Sequence, residues 1–281
     1  MFTINPFSGL SGLISPLAMQ LYVIAMILLV IGGTILDMVH KKSAQYFFEN
    51  SKKAQKNATR TVGAGEKIGL AVKTVAVEVV TSGEFQNPRR RISHLFIMYG
   101  FILFAATTAI MIFGYADTAT PTILPVLWHV GALMLCFGGY WFWFFIRVDV
   151  AAEGNPWYRV MRADMFILSL LATATFGLIW SATQAANVAG WQTLFFGLFI
   201  ISSIVLFGGV LWSKFAHMFF KPAAAFQKRV TKADGSAENL PVMPDLSDPA
   251  VQERFPDIPE YMGKNPPNMG LGIKRESPNH Y

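Results

Sequence analysis

The stretch RRRISHLFIMYGFILFAATTAIMIF, which runs from Arg89 to Phe113, places three arginines directly before 22 mostly apolar residues. A bilayer core about 30 Å thick needs roughly 20 such residues in a helix, since a helix pairs its own backbone amides. The stretch therefore predicts a membrane span with a basic boundary. Four further stretches have the same character, and the five predicted spans are residues 17–38, 92–113, 122–146, 165–183 and 193–219.

The composition agrees with a membrane protein. Hydrophobic residues make up 53% of the 281 residues and charged residues only 14%, where a soluble domain carries about 25% charged residues. The single cysteine, Cys136, excludes an internal disulfide or a cysteine-ligated iron–sulfur cluster in this subunit. We predict an all-α integral membrane protein: a five-helix transmembrane bundle over residues 1–221, and an extended cytoplasmic tail over residues 222–281.

The lysines and arginines fall on one side of this map. Eleven lie in residues 41–91, three in residues 147–162 and nine from residue 214 onward, which accounts for all 23. Under the positive-inside rule, the N-terminus is then periplasmic and the C-terminus cytoplasmic. Because no basic residue precedes the first apolar stretch and no small-residue cleavage motif follows it, we expect a permanent span there and not a signal peptide.

The cytoplasmic loop, residues 41–91, contains one amphipathic pattern. Ile68, Val72, Val75 and Val79 recur at helical spacing beside two lysines, which suits a helix lying in the membrane interface or against a partner. An ordinary packed loop helix explains the pattern equally well. The tail after residue 222 has too few apolar residues for a core, so we expect it to be extended and to order only on a partner.

Two histidines lie at similar depth near the cytoplasmic boundary. His94 follows Arg91 by three residues, and His217 follows Lys214 by three residues. Imidazoles at matched depth on neighbouring helices are typical axial ligands of a b-type haem, and Gly100, with the glycine pair at 208 and 209, would leave room for the porphyrin. Histidines at helix ends are also commonly solvated in the headgroup region, and both interpretations stay open.

His129 differs from these because it lies in the outer half of the third span, next to Trp128. An ionisable residue inside a membrane is a functional candidate by default. His129 and Trp128 are therefore candidates for a quinone site. A haem contact opposite methionine and a simple hydrogen bond between helices are the alternatives for His129, and the sequence favours the hydrogen bond.

The third span ends in the aromatic run YWFWFF, residues 140–145. Trp141 and Trp143 in this run could line a quinone pocket, although an interfacial aromatic belt explains them without any ligand. Arg89, Arg90 and Arg91 suit an acidic partner face or lipid phosphates. Since the basic residues follow the membrane boundary, nucleic-acid binding is not indicated.

Five spans with cytoplasmic histidines on the second and fifth resemble the gamma-type cytochrome b subunits of respiratory nitrate reductases. Those subunits carry two histidines on each of these spans, and this chain has one on each. The resemblance therefore implies at most one haem b, held by His94 and His217, and no other metal.

A closer resemblance covers most of the chain. Four long strings are similar to the membrane-anchor subunits associated with dissimilatory adenylylsulfate reductase (AprM-type) in sulfur-oxidising bacteria: GEFQNPRRRISH (83–94), GGYWFWFFIRVD (138–149), WSKFAHMFFKP (212–222) and YMGKNPPNMGLGIK (261–274). The resemblance implies a bacterial inner-membrane location and a cytoplasmic flavin and iron–sulfur reductase as partner. Tyr261, Lys264 and Lys274 of the last string are then candidate docking residues, together with the three arginines.

Taken together, these patterns favour a membrane subunit that docks a sulfite-oxidising adenylylsulfate reductase and passes its electrons to quinone. A passive anchor without a redox cofactor is the alternative, so the chain is either a non-catalytic or a quinone-reducing subunit. A transporter of small solutes or sulfur anions is the remote alternative, because the five predicted spans show no matched halves and no charges at mid-membrane.

Overall fold

The computed structural model describes residues 1–10, 14–41, 43–85, 87–116, 118–149, 154–237 and 245–264. All regular structure in these ranges is helical. The α-helices are α1 (Pro16–Lys41), α2 (Ser43–Gln55), α3 (Ala64–Thr74), α4 (Pro88–Gly114), α5 (Ile123–Trp141), α6 (Met165–Ala185), α7 (Ala189–Gly208), α8 (His217–Ala233), α9 (Pro249–Arg254) and α10 (Asp257–Met262). Two π-helical turns extend α3 over Val75–Val80 and α5 over Phe142–Ile146.

Five of these helices are long and apolar enough to cross a membrane: Pro16–His40, Pro88–Gly114, Ile123–Ile146, Arg162–Ala185 and Ala189–Gly208. The predicted all-helical fold with five spans is confirmed. By helix length and hydropathy, the chain is a multi-pass membrane protein. The chain divides into two compact units, of which the first holds the five spans (residues 1–45 and 77–220) and the second holds residues 46–76 and 221–281.

The fifth span is shorter than the sequence predicted. It was expected to reach residue 219, but α7 ends at Gly208. Gly209 closes the helix with a bond from its amide to the Val205 carbonyl, and the amides of Trp212 and Ser213 then both turn back to the Gly209 carbonyl. Twenty residues of helix already measure about 30 Å, so α7 crosses a bilayer without the extra turns. His217 therefore begins α8 and does not belong to the fifth span.

The prediction of an extended tail is wrong for residues 222–233, because they are helical. Pro222 is the sixth residue of α8, so the helix forms although one of its backbone hydrogen bonds, to the Met218 carbonyl, is missing. Within the second unit the helix finds partners that the sequence did not reveal: the Gln227 amide donates to Ser51 Oγ at 2.7 Å, and the Thr59 amide donates to the Asp234 carbonyl at 2.9 Å. The short helices α9 and α10 are further ordered pieces of the same tail.

Helices α4 and α5 approach each other closely. A Cβ added at Gly131 would lie 2.7 Å from the Phe104 amide nitrogen and 2.9 Å from the Gly100 carbonyl oxygen, and one added at Gly138 would lie 2.7 Å from the Ser93 carbonyl oxygen. The Ser93 hydroxyl donates to the Gly138 carbonyl at 2.8 Å. Small residues at such crossings let helix backbones approach and gain packing that lipid tails cannot supply.

The core of the bundle lies beside this crossing and is largely aromatic. Trp128 and Phe104 have ring centroids 4.9 Å apart, and Trp180 stacks on Phe199 at 5.6 Å. Trp128 and Trp180 are fully or almost fully buried. The core is thus continuous between α4, α5, α6 and α7, which fixes where the helix ends lie.

We predict that Gly131→Ala lowers the thermal stability of the detergent-solubilised protein by about 1–3 kcal/mol, because the added methyl group meets backbone atoms that cannot move independently. Gly197→Ala is the matched control: it lies in a membrane helix, and its added Cβ would meet no atom within 4 Å. Equal melting temperatures for the two variants would contradict the close α4–α5 crossing.

Candidate functional site

The most elaborate polar site of the first unit lies where α5 ends. Arg147 follows the π-helical turn of α5 and is completely buried. Its Nη1 donates to the carbonyls of Asn155 (3.2 Å) and Pro156 (2.7 Å), and its Nη2 donates to the Arg159 carbonyl (2.6 Å) and to Asp164 Oδ2 (2.6 Å). One guanidinium therefore holds both the connection that leads to α6 and the acid at the start of α6.

The surroundings of Arg147 complete this cluster. Its guanidinium carbon lies 4.3 Å from the centre of the Trp143 ring, a distance typical of a cation–π contact. Asp164 Oδ2 also accepts from the Met161 amide at 2.9 Å, and the Asn155 amide returns a bond to the Arg147 carbonyl at 3.0 Å. A buried ion pair offsets its desolvation only when further hydrogen bonds satisfy the remaining polar atoms. Here the loop backbone supplies them to both Nη groups of Arg147, whereas its Nε makes no hydrogen bond to the described residues.

The loop that Arg147 holds presents large side chains to the outside. Trp157 is 58% exposed, Tyr158 72% and Val160 60%, and the side chains of Arg159 and Arg162 are exposed beside them. Trp157 lies 6.4 Å from Phe144, which stacks on Tyr140 of α5 at 6.2 Å. We call Tyr140, Phe144, Trp157 and Tyr158 the aromatic surface.

The two tryptophans predicted to line a quinone pocket have different environments. Trp143 is buried beneath the Arg147 guanidinium, so it belongs to the support of the loop. Trp141 is half-buried, with its ring 5.8 Å from Phe137. The rings of the aromatic surface and of Phe145 are exposed at this end, and the quinone role of Trp141 and Trp143 stays a prediction.

His94 lies in the second turn of α4 and contacts the segment that precedes it. Its Nδ1 pairs with Ser82 Oγ at 3.0 Å, and its ring lies 4.8 Å from Phe85. Ser82 has a φ of +48°, a left-handed conformation that is costly for serine. The bond to His94 helps to hold Ser82 there, so His94 has a clear local role.

His217 has a separate set of neighbours. Its Nδ1 pairs with the Lys214 carbonyl, and its ring lies 5.8 Å from Phe166 of α6. The space expected beside Gly100 is filled, since a Cβ there would lie 2.8 Å from both the Gly131 carbonyl and the Leu135 amide nitrogen. Gly100 therefore serves the α4–α5 crossing, and a haem between His94 and His217 stays a prediction.

His129 is completely buried, with both ring nitrogens engaged. Nδ1 pairs with the Pro125 carbonyl at 2.7 Å, and Nε2 pairs with Ser181 Oγ of α6 at 2.8 Å. Trp128 donates from Nε1 to Thr108 Oγ1 of α4 at 2.9 Å. Both residues thus make hydrogen bonds between helices, which is the alternative that the sequence favoured for His129, and their role at a quinone stays a prediction.

The predicted docking residues are partly engaged inside the chain. Arg91 Nε donates to the Thr81 carbonyl at 2.7 Å, and the Arg90 guanidinium lies 5.8 Å from the Phe85 ring centre. Arg89 is exposed, as are Tyr261 (78%) and Lys264. Lys274 lies outside the described residues.

The second unit contains one well-formed ion pair. Arg60 donates to both oxygens of Glu66, at 2.9 and 2.5 Å, and from Nε to the Ala233 carbonyl at the end of α8. The hydrogen bonds from Arg60 lower the pKa of Glu66. Both side chains are largely exposed, and an exposed ion pair adds little to the free energy of unfolding. The main effect of the pair is therefore to fix the position of the chain at Arg60. Arg60 is accordingly a structural residue of the second unit.

Comparisons with protein-family models, with curated proteins and with solved structures found no match for this chain. The Arg147 cluster was missed in the sequence, where Arg147 appeared only as a charge at the boundary of a span. The sequence does contain a signal for this cluster: Arg147 directly follows one apolar run, and Asp164 directly precedes the next.

We predict that Arg147→Ala destabilises the protein by about 3–5 kcal/mol, because it leaves the buried Asp164 carboxylate without its cation. The loop should then open, and trypsin should cleave after Arg159 and Arg162 much faster than in the parent protein. Melting temperature and cleavage rate measure the two effects.

Tyr158→Ala is the control, since it removes an exposed side chain of the same loop and should change stability by less than about 0.5 kcal/mol. Unchanged cleavage in Arg147→Ala would show that the loop does not depend on the arginine.

Proposed function

We propose that the chain is the membrane subunit of a cytoplasmic adenylylsulfate reductase working in the direction of sulfite oxidation, and that it delivers the electrons to quinone. The observation that carries the proposal is the aromatic surface held by Arg147. The four sequence strings that resemble the AprM-type anchor subunits support the identity of the partner.

The distribution of charge supports a cytoplasmic position for the Arg147 end of the bundle. Arg91 at the start of α4, and Arg147, Arg159 and Arg162 between α5 and α6, gather at the ends of the spans that the positive-inside rule assigns to the cytoplasm. The first ten residues and the connection near residue 187, at the other ends of these helices, have no lysine or arginine. A cytoplasmic enzyme would therefore meet the aromatic surface and its arginines.

The chemistry of the surface suits a protein partner. Trp, Tyr and Arg are the side chains that most often dominate binding energy at interfaces, and Trp157, Tyr158 and Arg159 are consecutive and exposed. Because Arg147 fixes the backbone at residues 155, 156 and 159, little conformational entropy is lost when the loop binds.

The same surface gives quinone a place next to the docked enzyme. The aromatic rings continue from Trp157 through Phe144 to Tyr140, which lies on the outer face of α5. Oxidation of one sulfite by the partner releases two electrons, and one quinone takes up two electrons and two protons to become quinol. In this arrangement quinone is reduced at the cytoplasmic boundary, directly beside the partner.

A haem b between His94 and His217 is the second route. It is favoured by one observation: the Nδ1 of each imidazole already pairs with an oxygen atom, as in ligating histidines whose orientation is fixed by an outer partner. The filled space beside Gly100 counts against it. A reduced-minus-oxidised absorption spectrum of the purified protein distinguishes the routes, since a b-type band that disappears in His94→Ala and His217→Ala would establish the haem.

We predict that Trp157→Ala combined with Tyr158→Ala weakens binding of adenylylsulfate reductase at least tenfold, as loss of two central aromatic anchors would. Quinol formation by the reconstituted pair should fall with it. Binding is measured by titration of the solubilised membrane protein with the purified reductase.

Trp191→Ala is the matched control, because Trp191 is 56% exposed at the opposite end of the bundle. Unchanged reductase binding in the double variant would contradict the proposal. If the reductase binds this subunit normally but forms quinol equally well without it, the chain is a passive anchor.

We also predict that higher ionic strength weakens the complex, because exposed charges are screened over about 10 Å at 0.1 M salt. Arg159→Gln with Arg162→Gln should reduce this salt dependence. Release of the reductase by detergent alone, at every salt concentration, would show that the arginines do not contribute to docking.

A further inference from the structure

The apolar face of α3 is not covered by the described residues of the chain. Ile68 is 66% exposed, Val72 64% and Val75 54%. These residues are spaced four and three apart, so they lie on one side of the helix. Thr74, about 120° around the helix from Ile68, is buried, and Leu70, about 160° around, is half-buried. The chain therefore packs against another side of α3 and leaves the face of Ile68, Val72 and Val75 outside.

The lysines of α3 border this face. At 3.6 residues per turn, Lys67 lies about 100° to one side of Ile68 and Lys73 about 140° to the other. Both lysine side chains are exposed. Long cationic side chains on both flanks of an apolar stripe can reach lipid phosphates while their stems cover acyl chains. This placement of charge fits a bilayer surface with anionic lipids.

The chain that follows α3 is attached beside a membrane span. The Val80 carbonyl accepts from Tyr99 Oη at 2.6 Å, and the Thr81 carbonyl accepts from Arg91 Nε at 2.7 Å. The apolar run of α4 begins at Ile92, so Tyr99 lies about 10 Å into it, and its side chain points back toward the start of the helix. Val80 is therefore held at the depth where the hydrocarbon begins.

The residues at this attachment are themselves apolar and exposed. Val77 is 36% exposed and Val80 47%, and Tyr99, which holds Val80, is 38% exposed on α4. Exposed apolar side chains thus continue along the sequence from α3 to Val80, which lies beside the membrane-spanning part of α4. The two hydrogen bonds to α4 hold residues 80 and 81, the sixth and seventh residues after the end of α3, beside the membrane span.

We propose that α3 and its π-helical continuation lie in the interfacial layer of the bilayer, with Ile68, Val72 and Val75 among the acyl chains and Lys67 and Lys73 at anionic headgroups. The proposal is independent of the redox function. The proposed partner of this face is the lipid surface. The test below would also detect a protein or a second copy of the chain covering the face.

The test places nitroxide labels along α3 in the full-length protein. Cysteines are introduced singly at positions 68, 72 and 75 in a Cys136→Ser background, and the protein is reconstituted in vesicles of equal amounts of phosphatidylcholine and phosphatidylglycerol. Relaxation by oxygen, which concentrates in lipid, is compared with relaxation by a water-soluble nickel chelate. Lys67→Cys and Lys73→Cys are the matched controls on the flanks.

We expect a several-fold higher oxygen-to-nickel ratio for Ile68→Cys, Val72→Cys and Val75→Cys than for the two controls, with depths of about 5–10 Å. In vesicles of phosphatidylcholine alone, the ratio should fall. Equal nickel access at all five positions would overturn the proposal in favour of a solvated helix. Labels shielded from both reagents would overturn it in favour of a protein cover, and spin–spin broadening would identify a second copy.

Discussion

The guanidinium of Arg147 provides the bonds on which the order of this end of the bundle depends. A helix that leaves the membrane is followed by backbone groups that need partners outside the helix, and the carbonyls of Asn155, Pro156 and Arg159 find theirs in Arg147. Arg147 supplies four donated hydrogen bonds from a buried position, three to carbonyls and one to Asp164. The planar fork of arginine suits this geometry, whereas a lysine would offer a single point charge.

Arg147 can reach all its acceptors because close packing fixes the positions of the helices around it. Gly131 and Gly138 let α5 lie against the backbone of α4, and the aromatic core around Trp128 and Trp180 joins that pair to α6 and α7. The end of α5 and the start of α6 therefore have defined positions, and one side chain can span them. A rigid bundle that carries an ordered, exposed loop at its end is suited to holding a soluble protein.

The sequence predicted the spans well and the site incompletely. Apolar length identifies a membrane helix because the bilayer imposes one thickness on every span, and four of the five predicted spans match their helices to within a few residues. The exception, α7, ended early since a glycine pair and sufficient length both favour a stop at Gly208. The helical part of the tail was missed because its partners, Ser51 and Thr59, are distant in sequence.

The histidines and tryptophans show the same division between local and long-range information. Residue type and depth made His94, His217 and Trp143 candidate site residues. The contacts of His94 with Ser82 and of His217 with Phe166 join separate segments and have no short-range pattern in the sequence. Trp143 contacts Arg147, four residues later, but the burial of both side chains depends on the packing around them.

The proposed function requires the Arg147 end of the bundle to face the cytoplasm. Single cysteines at Tyr158 and at Gln192, in a Cys136→Ser background, can be labelled with a membrane-impermeant maleimide in right-side-out and inverted vesicles. We expect the cysteine at 158 to react only in inverted vesicles and the cysteine at 192 only in right-side-out vesicles. The reverse pattern would place the aromatic surface outside the cell and contradict the account.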